Sequence, residues 1–280
     1  MSIEYSIITV CRNAGNEIGK TIESVCRQVS ILAKTEMVIV DGASTDNTLH
    51  VVEEYQKMAQ KTELLLRVHS EPDRGIYDAM NKGAYLSNGD WCLYLNAGDI
   101  FYDENSLAKL TSSNKQSVEI LYGNYVGHWR GRFRVFPARD AEKLTFLGGM
   151  EFCHQSSLIK REYLLTHPYT LNYKIAGDFD FFVRAFVHGG RFRHVPGLIS
   201  IFDYEGVSGN NGLIASMENN EILLTYGLIS QEEYNARQIT AKRLQMIRSL
   251  VPKSLNALRH YFLMRNVTKN WNRELPREEQ

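Results

Sequence analysis

The sequence lacks the segments that would carry it into or across a membrane. No run of residues approaches the roughly 20 uncharged positions that a membrane-spanning helix needs. The amino terminus passes from Met1 directly into an apolar stretch, without the basic start and small-residue cleavage site of a signal peptide. From these two absences we expect a cytoplasmic protein.

Cysteine and proline are scarce as well. The four cysteines, Cys11, Cys26, Cys92 and Cys153, form no C-x-x-C pair, so the sequence predicts neither a disulfide framework nor a zinc site. Six prolines, 20 glycines and 44% hydrophobic residues in 280 positions are typical of an ordinary globular protein. This length is sufficient for one large domain with an appendage.

Charge of one sign is missing from the carboxyl-terminal part of the chain, although the net charge of the whole is zero. Nine Lys or Arg residues and no Asp or Glu occur between Arg237 and Arg273. Apolar residues recur among these cations at near-helical spacing, which is typical of a helix that lies on an anionic membrane surface. The alternative is that these apolar residues pack against the rest of the protein. They are Leu244, Ile247, Val251, Leu255, Leu258 and Phe262, with Trp271 beyond them.

Short apolar runs alternate with helix-length segments in the first half of the chain, which predicts a mostly parallel sheet with helices on its faces. We expect strands at 5–11, 36–41, 64–69 and 91–95. We expect helices at 16–29 and 76–86, and another that follows the turn beginning at Gly42 and runs to about residue 60. We also expect an antiparallel excursion at 120–136, a helix at 177–187 and only helices after 222, with Pro252 separating two of them. The predicted fold class is therefore α/β with a helical C-terminal extension.

Two sequence motifs place acidic residues beside predicted strand ends. Asp41 ends the second strand in VDGASTDNT, where a carboxylate can accept hydrogen bonds from a base or ribose. The alternative role, capping of the next helix, fits Asp46 better. In SEPDRGIYDAMNKG, Asp73 and Arg74 precede Gly75, which lets the backbone approach a ligand before a helix start that favours anions. Here the alternative is a turn with a solvated charge pair.

Two further motifs follow later in the chain. LNAGD delivers Asp99 to the end of an apolar strand, and such a carboxylate suits Mg²⁺ or Mn²⁺ that also binds substrate phosphates. By itself this motif is equally a common turn. Asp178 and Asp180 open a helix in GDFDFFVR, where a carboxylate could serve as a general base. Taken alone, this pair is better explained by helix capping.

In this order and at these intervals, the four motifs resemble glycosyltransferase family 2 over roughly residues 5–208. SEPDRGIYDAMNKG together with LNAGD is similar, more narrowly, to bacterial enzymes that assemble O-antigen lipopolysaccharide, capsule and other exopolysaccharides. The resemblance implies a GT-A fold with a catalytic domain at 1–215, made of a nucleotide-sugar half (about 1–100) and an acceptor half (about 101–215). The basic helical extension would then span 216–280.

The resemblance also implies a role for each residue that matches a family motif. Asp178 would be the catalytic base, and Asp99 would bind Mn²⁺ or Mg²⁺. The nucleotide sugar would be bound by Thr9, Cys11, Arg12, Asn13, Asp41, Asp73, Gly75, Asn96 and Ala97. The acceptor or diphosphate side would be formed by His154, Gln155, Asp180 and Ser208, the last in a loop that closes over the donor. Many members carry acids where this chain has Asn96 and Gly98, so Asp99 is the sole carboxylate expected at the metal.

The implied activity is inverting transfer of a sugar from a nucleotide sugar, with a UDP-hexose or UDP-N-acetylhexosamine as the default donor. The implied acceptor is an undecaprenyl-diphosphate-linked saccharide, and the enzyme would be peripheral on the inner face of the cell membrane. Its oligomeric state is left open. The alternatives are a non-catalytic nucleotide-sugar-binding or scaffold protein and a sugar nucleotidyltransferase, whose phosphate loop is poorly matched here. A Rossmann dehydrogenase is excluded because G-x-G-x-x-G is absent, and we expect no nucleic-acid partner.

Overall fold

The chain folds into one mixed β-sheet with helices on both faces. This computed structural model describes residues 2–29, 31–206, 211–250, 272 and 274–276, without the side chains of 244, 245 and 247–250. The strands are β1 (Tyr5–Cys11), β2 (Thr35–Asp41), β3 (Leu65–Ser70), β4 (Trp91–Tyr94), β5 (Ile100–Phe101), β6 (Ile120–Trp129), β7 (Arg132–Phe136), β8 (Ser157–Lys160) and β9 (Phe192–Asp203). The helices are α1 (Ile18–Cys26), α2 (Thr48–Ala59), α3 (Ile76–Leu86), α4 (Ser106–Thr111), α5 (Arg161–Thr166), α6 (Gly177–Val187), α7 (Gly212–Thr225) and α8 (Gln231–Leu250). Short 3₁₀ turns occur at Leu32–Lys34, Ala141–Lys143 and His154–Ser156.

The strand order brings six strand ends to one edge of the sheet. The order is β3-β2-β1-β4-β8-β6-β9-β5, with β7 paired to β6. Strands β1 to β4 are parallel to one another. Strand β8 is antiparallel to both β4 and β6, and β9 is parallel to β6, so β6 and β9 run in the same direction as β4. The carboxyl ends of these six strands therefore face the same edge, where ligands bind in open α/β sheets.

Both faces of the sheet are covered because successive side chains of a strand point to opposite sides. On one face, Ile8 and Val10 of β1 pack in a cluster with residues of α3, α6 and α7. On the other face, Ile7 of β1 packs with residues of α1, α2 and α4. Strands buried on both faces give the continuous apolar runs that the sequence displays in β1 and β2.

The predicted α/β class is confirmed, and several helices and strands have the bounds that the sequence predicted. Strand β1 and helices α3 and α6 begin and end at the expected residues. Helix α1 is shorter than expected, because it starts at Ile18 and ends at Cys26. The expected antiparallel excursion is the β6–β7 hairpin, but β6 also pairs in parallel with β9. The sequence did not predict β5, β8, β9, α4 or α5.

The helices at the carboxyl end pack against the sheet domain. Helix α7 spans the boundary expected after residue 215, and its Ile222 and Leu223 are buried in the cluster that contains α6. Further along, Asn272 forms an antiparallel bridge with Phe133 of β7. Pro252 and the apolar side chains expected in the basic segment lie outside the described residues. Among the described helices, none is long and apolar enough to cross a membrane.

Candidate active site

A cavity of about 440 Å³ opens at the carboxyl edge of the sheet. Its walls come from the end of β1, the start of α3, the turn after β4, the His154–Ser156 turn and the end of β9. The lining residues are Val10, Cys11, Arg12, Ala14, Glu17, Asp73, Gly75, Ile76, Ala79, Asn96, Ala97, Gly98, Asp99, Gln155, Phe202, Asp203, Glu205 and Gly206. Elements separated by up to about 200 residues of sequence therefore meet in one site.

Asp73 and Gly75, two residues predicted to bind the donor, lie in the cavity wall. The Gly75 N–H donates to Asp73 Oδ1 at 2.9 Å and orients that carboxylate. Gly75 has a φ of +123°, a backbone conformation that favours glycine, and it immediately precedes α3. A Cβ at Gly75 would have nothing within 4 Å, so glycine is required there by the backbone angle. A Cβ at Gly42 would lie 2.2 Å from Asp73 Oδ2, so Gly42 leaves room for the carboxylate.

Asp41 is fully buried behind the cavity wall. Its Oδ2 accepts hydrogen bonds from the Ser44 N–H at 2.9 Å and the Ser70 hydroxyl at 2.7 Å. The Ser44 hydroxyl also donates to Oδ1. The neighbouring Cys11 is one of the lining residues, and burial together with the Asp41 charge raises the pKa of its thiol to about 12. Asp41 thus joins the loop after β2 to the end of β3, directly behind Cys11.

Thr9 and Asn13 are not among the lining residues, and Thr9 is buried whereas Asn13 is exposed. The Thr9 hydroxyl donates to the Leu95 carbonyl at 2.7 Å and ties β1 to the end of β4. Asn13 adopts a φ of +52°, and its Oδ1 accepts the Thr45 N–H at 2.8 Å. Of the five β1 and β1-loop positions from 9 to 13, Cys11 and Arg12 are the expected donor residues that line the cavity.

Asp99 is a buried carboxylate in the cavity, 6% exposed. Its Oδ2 accepts a hydrogen bond from Gln155 Nε2 at 2.8 Å, and its Oδ1 accepts the Asp203 N–H at 3.0 Å. Burial disfavours the charged form and raises the pKa of Asp99 to about 6, although these two hydrogen bonds oppose the shift. An ionised carboxylate has about four lone-pair sites, so two acceptor positions remain.

The end of β9 adds acidic groups that the sequence analysis did not assign. Ligand atoms of His128, Asp203 and Glu205 all lie within 4.8 Å of one another, and both acids line the cavity. Lys20 approaches Asp203 at 3.4 Å from α1. The sequence did contain a signal for these acids, because both occur in FDYEGVS, the segment that ends at Ser208. Ser208 itself lies outside the described residues.

Asp178 lies at the start of α6 and is joined to the turn after β4 through His154. His154 Nδ1 lies 3.0 Å from Asp178 Oδ2, and His154 Nε2 lies 3.0 Å from Asn96 Nδ2. The other carboxylate oxygen accepts the Phe179 N–H at 2.9 Å and the Tyr77 hydroxyl at 3.4 Å. The Asp178 side chain is 20% exposed and the His154 side chain 9%. Asp178 therefore keeps access to solvent, which a proton acceptor for a bound hydroxyl needs.

Asp180 has different surroundings from Asp178. It is 2% exposed and accepts hydrogen bonds from the Thr170 hydroxyl at 2.9 Å and the Tyr226 hydroxyl at 3.1 Å. Neither Asp178 nor Asp180 is among the cavity-lining residues. Positions two apart on a helix point in nearly opposite directions, so Asp178 contacts His154 while Asp180 contacts Thr170 and Tyr226.

Comparisons with known proteins decide the family. A family model described as Glycosyl transferase family 2 matches residues 6–177, more than half of the chain. The chain belongs to this family. The expected recognition is thereby confirmed, and the protein is a glycosyltransferase that acts in glycan biosynthesis.

Relatives of this family 2 glycosyltransferase include curated bacterial proteins. A PGL/p-HBAD biosynthesis glycosyltransferase of Mycobacterium bovis is 32% identical over 210 residues, which cover 73% of this chain and 78% of the relative. The glycosyltransferase GlyG of Streptococcus pneumoniae is 22% identical over 188 residues, which cover 67% of this chain and 55% of the relative. Both relatives are named as glycosyltransferases, in agreement with the family assignment.

Solved structures establish the GT-A fold of this glycosyltransferase. TarS 1–349 of S. aureus, in complex with UDP-GlcNAc, superimposes with a TM-score of 0.61 at 18% identity, covering 95% of this chain and 88% of TarS. The mannosyltransferase PcManGT of Pyrobaculum calidifontis, in complex with GDP-Man and Mn²⁺, gives a TM-score of 0.65 at 15% identity, covering 96% and 82%. At these identities the likeness concerns the fold.

Proposed function

We propose that this glycosyltransferase transfers a hexosyl or N-acetylhexosaminyl group, with inversion, from a UDP sugar to a lipid-linked saccharide. The observation that carries the proposal is a pair of carboxylates held by one short turn. Gln155 binds Asp99 inside the cavity, and the adjacent His154 binds Asp178 on α6. We infer that Asp99 serves a cation beside the donor diphosphate and that Asp178 serves the acceptor hydroxyl.

The cavity supplies groups suited to a nucleoside diphosphate sugar. Arg12 contributes positive charge to the lining, and Asp73 contributes an oriented acceptor for ribose or base. Asp41 does not line the cavity; it supports the wall by accepting hydrogen bonds from Ser44, in the loop after β2, and from Ser70, at the end of β3. Structures of this fold bind UDP-GlcNAc in TarS and GDP-Man in PcManGT, which supports a nucleotide sugar as the donor.

The residues present fit a divalent cation, Mn²⁺ or Mg²⁺. Asp99, Asp203 and Glu205 offer hard carboxylate oxygens to the cavity, and His128 lies beside the last two. This donor set compensates for Asn96 and Gly98, which replace acids at the turn after β4. When bound, the cation neutralises charge on the departing nucleoside diphosphate. Mn²⁺ in PcManGT supports this assignment.

Asp178 serves as the general base in the proposed mechanism. Its carboxylate takes the proton of the acceptor hydroxyl while that oxygen forms the new bond to the anomeric carbon and the bond to the nucleoside diphosphate breaks. The Phe179 N–H and His154 fix both oxygens of the base, so it is oriented before the acceptor binds. One displacement at the anomeric carbon inverts its configuration.

We assign the acceptor as an undecaprenyl-diphosphate-linked saccharide of surface polysaccharide synthesis, bound at the cytoplasmic face of the membrane. The support is the basic segment between Arg237 and Arg273, whose exposed Lys242 and Arg243 belong to α8. Flotation of the full chain with vesicles that contain anionic lipid tests the membrane location in this proposal. Retention by anionic vesicles, released by salt, is expected; failure to float with either anionic or neutral vesicles would contradict it.

The donor class is tested by thermal shift with UDP, GDP, dTDP and CDP, each with and without Mn²⁺. We expect a cation-dependent rise in melting temperature with UDP, because ligands that bind the native state stabilise it. A shift with another nucleotide would correct the donor, and no shift with any would contradict the donor site.

The base is tested by comparing Asp178→Asn with Asp180→Asn. Turnover should fall by about 10²- to 10⁴-fold in Asp178→Asn. In Asp180→Asn the main loss should be of stability, because this acid bonds only Thr170 and Tyr226 in the described structure. Normal turnover in Asp178→Asn would disprove the base assignment.

A further inference from the structure

His154 links two parts of the site that come from distant elements of the chain. Its ring contacts Asp178 at the start of α6 through Nδ1, and Asn96 after β4 through Nε2, both at 3.0 Å. The histidine is 7% exposed and sits in the 3₁₀ turn His154–Ser156. Both ring nitrogens are therefore engaged by side chains of the site.

The partners of the ring fix its tautomer. An ionised Asp178 carboxylate can only accept, so Nδ1 carries the proton that it donates to Asp178. In the neutral ring Nε2 is then an acceptor, which matches the Asn96 Nδ2 donor facing it. Asn96 points Nδ2 toward the histidine, and its Oδ1 is buried without a hydrogen-bond partner among the described residues.

The adjacent residue of the turn holds the other carboxylate. Gln155 Nε2 donates to Asp99 Oδ2 at 2.8 Å, and Asn96 and Asp99 share the turn after β4. The 3₁₀ turn thus contacts the base through one side chain and the cavity acid through the next. Its two side chains can be perturbed separately, which makes their roles separable by experiment.

We propose that His154 is a positioning residue for the base: its Nδ1–H orients the Asp178 carboxylate, and Asn96 keeps the ring in the tautomer that can donate. This inference rests on the proposed role of Asp178. It gives His154 no contact with substrate and predicts that its effect on turnover is transmitted through Asp178.

Two isosteric substitutions separate the two contacts of the ring. In His154→Asn the side-chain amide can occupy the place of Nδ1 and donate to Asp178, while contact with Asn96 is lost. In His154→Gln the amide reaches the place of Nε2, so contact with Asn96 is kept and the donor to Asp178 is lost. We expect kcat within about 3-fold of the unmodified enzyme for His154→Asn, and about 10- to 100-fold lower for His154→Gln. The donor KM should change little in both.

Combination with Asp178→Asn tests whether the two residues act as one unit. Asp178→Asn with His154→Gln should be no slower than Asp178→Asn alone, because a positioning residue has no effect once its base is removed. Multiplying losses, or equal kcat losses in His154→Asn and His154→Gln, would overturn the inference. The activity of Asp178→Asn alone tests the base assignment separately. If this variant is inactive, Asp178 remains the proposed base even when the His154 inference fails; if it is active, the base assignment itself is wrong.

A measurement on the unmodified protein guards against variants that fail to fold. Nitrogen-15 spectra of histidine-labelled enzyme report which ring nitrogen of each histidine is protonated, and the His154 signal is identified by its loss in His154→Asn or His154→Gln, or by its contact with α6 protons. A ring protonated at Nδ1 is expected. The Nε2-protonated tautomer would overturn the inference, because it could not donate to Asp178.

Discussion

Two buried carboxylates, Glu36 at the amino end of β2 and Asp99 beyond the carboxyl end of β4, have partners of different kinds. Glu36 is fully buried and accepts two hydrogen bonds from Arg67, with further donors from Ser6 and Asn88. Burial acts to raise the pKa of Glu36, but these donors and the Arg67 charge outweigh it and hold that pKa below its ordinary value. Its charge is already compensated within the protein.

Asp99 is buried to nearly the same extent, but its hydrogen bonds come from the neutral amide of Gln155 and a backbone N–H. Its pKa is raised to about 6 because burial prevails. An acid whose charge is poorly compensated by the protein is suited to a ligand that brings positive charge. The difference teaches that the amino end of the sheet is built for stability and the carboxyl end for binding.

Among the variants that test this comparison, Asp99→Asn should have the largest effect on turnover. The substitution keeps the shape of the side chain and removes the charge, so turnover should fall by about 10²- to 10³-fold. The melting temperature should stay within about 3 °C, because a poorly compensated buried charge contributes little to folding. Steady-state kinetics and thermal unfolding on the same preparation check both. A large loss of stability with normal turnover would show that Asp99, like Glu36, stabilises the fold and does not bind a ligand.

Glu36→Gln should have the opposite profile. The substitution removes the negative charge that pairs with Arg67 and leaves this partly buried cation uncompensated. The free energy of unfolding should therefore fall by about 3 kcal/mol. Turnover per folded molecule should be unchanged, since Glu36 lies at the far end of the sheet from the cavity. Urea denaturation measures the loss, with Glu53→Gln, in an exposed ion pair, as the control. Reduced turnover at full folding would show that the two ends are coupled.

A smaller effect is expected at Glu218 of α7, beyond the stretch matched by the family. Its carboxylate accepts the backbone N–H groups of 174, 175 and 176 at 3.0, 2.9 and 2.8 Å, in the segment that leads into α6 and Asp178. Glu218→Gln weakens these bonds and should lower the free energy of unfolding by about 1–2 kcal/mol, with a moderate loss of kcat. Glu221→Gln, exposed on the same helix, is the control. If Glu218→Gln and Glu221→Gln have the same kcat and the same free energy of unfolding, then the contacts of Glu218 do not support the site.

The sequence predicts a feature well when neighbouring residues determine it, and poorly when it depends on residues far apart in the chain. Strands β1, β2 and β4 were predictable because strands buried on both faces are continuous apolar runs. The hydrogen bond between Asp99 and the Asp203 N–H joins residues 104 positions apart, and no local pattern specifies it. The distinction between Asp178 and Asp180 was available from helix geometry, although their partners were not.

The smallest expected effect compares two buried thiols, Cys11 beside Asp41 and Cys92 in β4. Burial raises the pKa of each to about 12, and at Cys11 the Asp41 charge adds to the increase. At pH 8, iodoacetamide should modify both about 10³-fold more slowly than in the urea-unfolded chain, and the native rate should rise about tenfold per pH unit because the thiolate is the nucleophile. Asp41→Asn removes a negative charge, lowers the pKa of Cys11 and should speed its modification by about 3- to 10-fold. Mass spectrometry of peptides containing Cys11 and Cys92 resolves the two rates, and Cys92 should not respond. An equal increase at both thiols would mean that the substitution loosens the whole sheet, so that Asp41 acts on the fold rather than on the carboxyl edge alone.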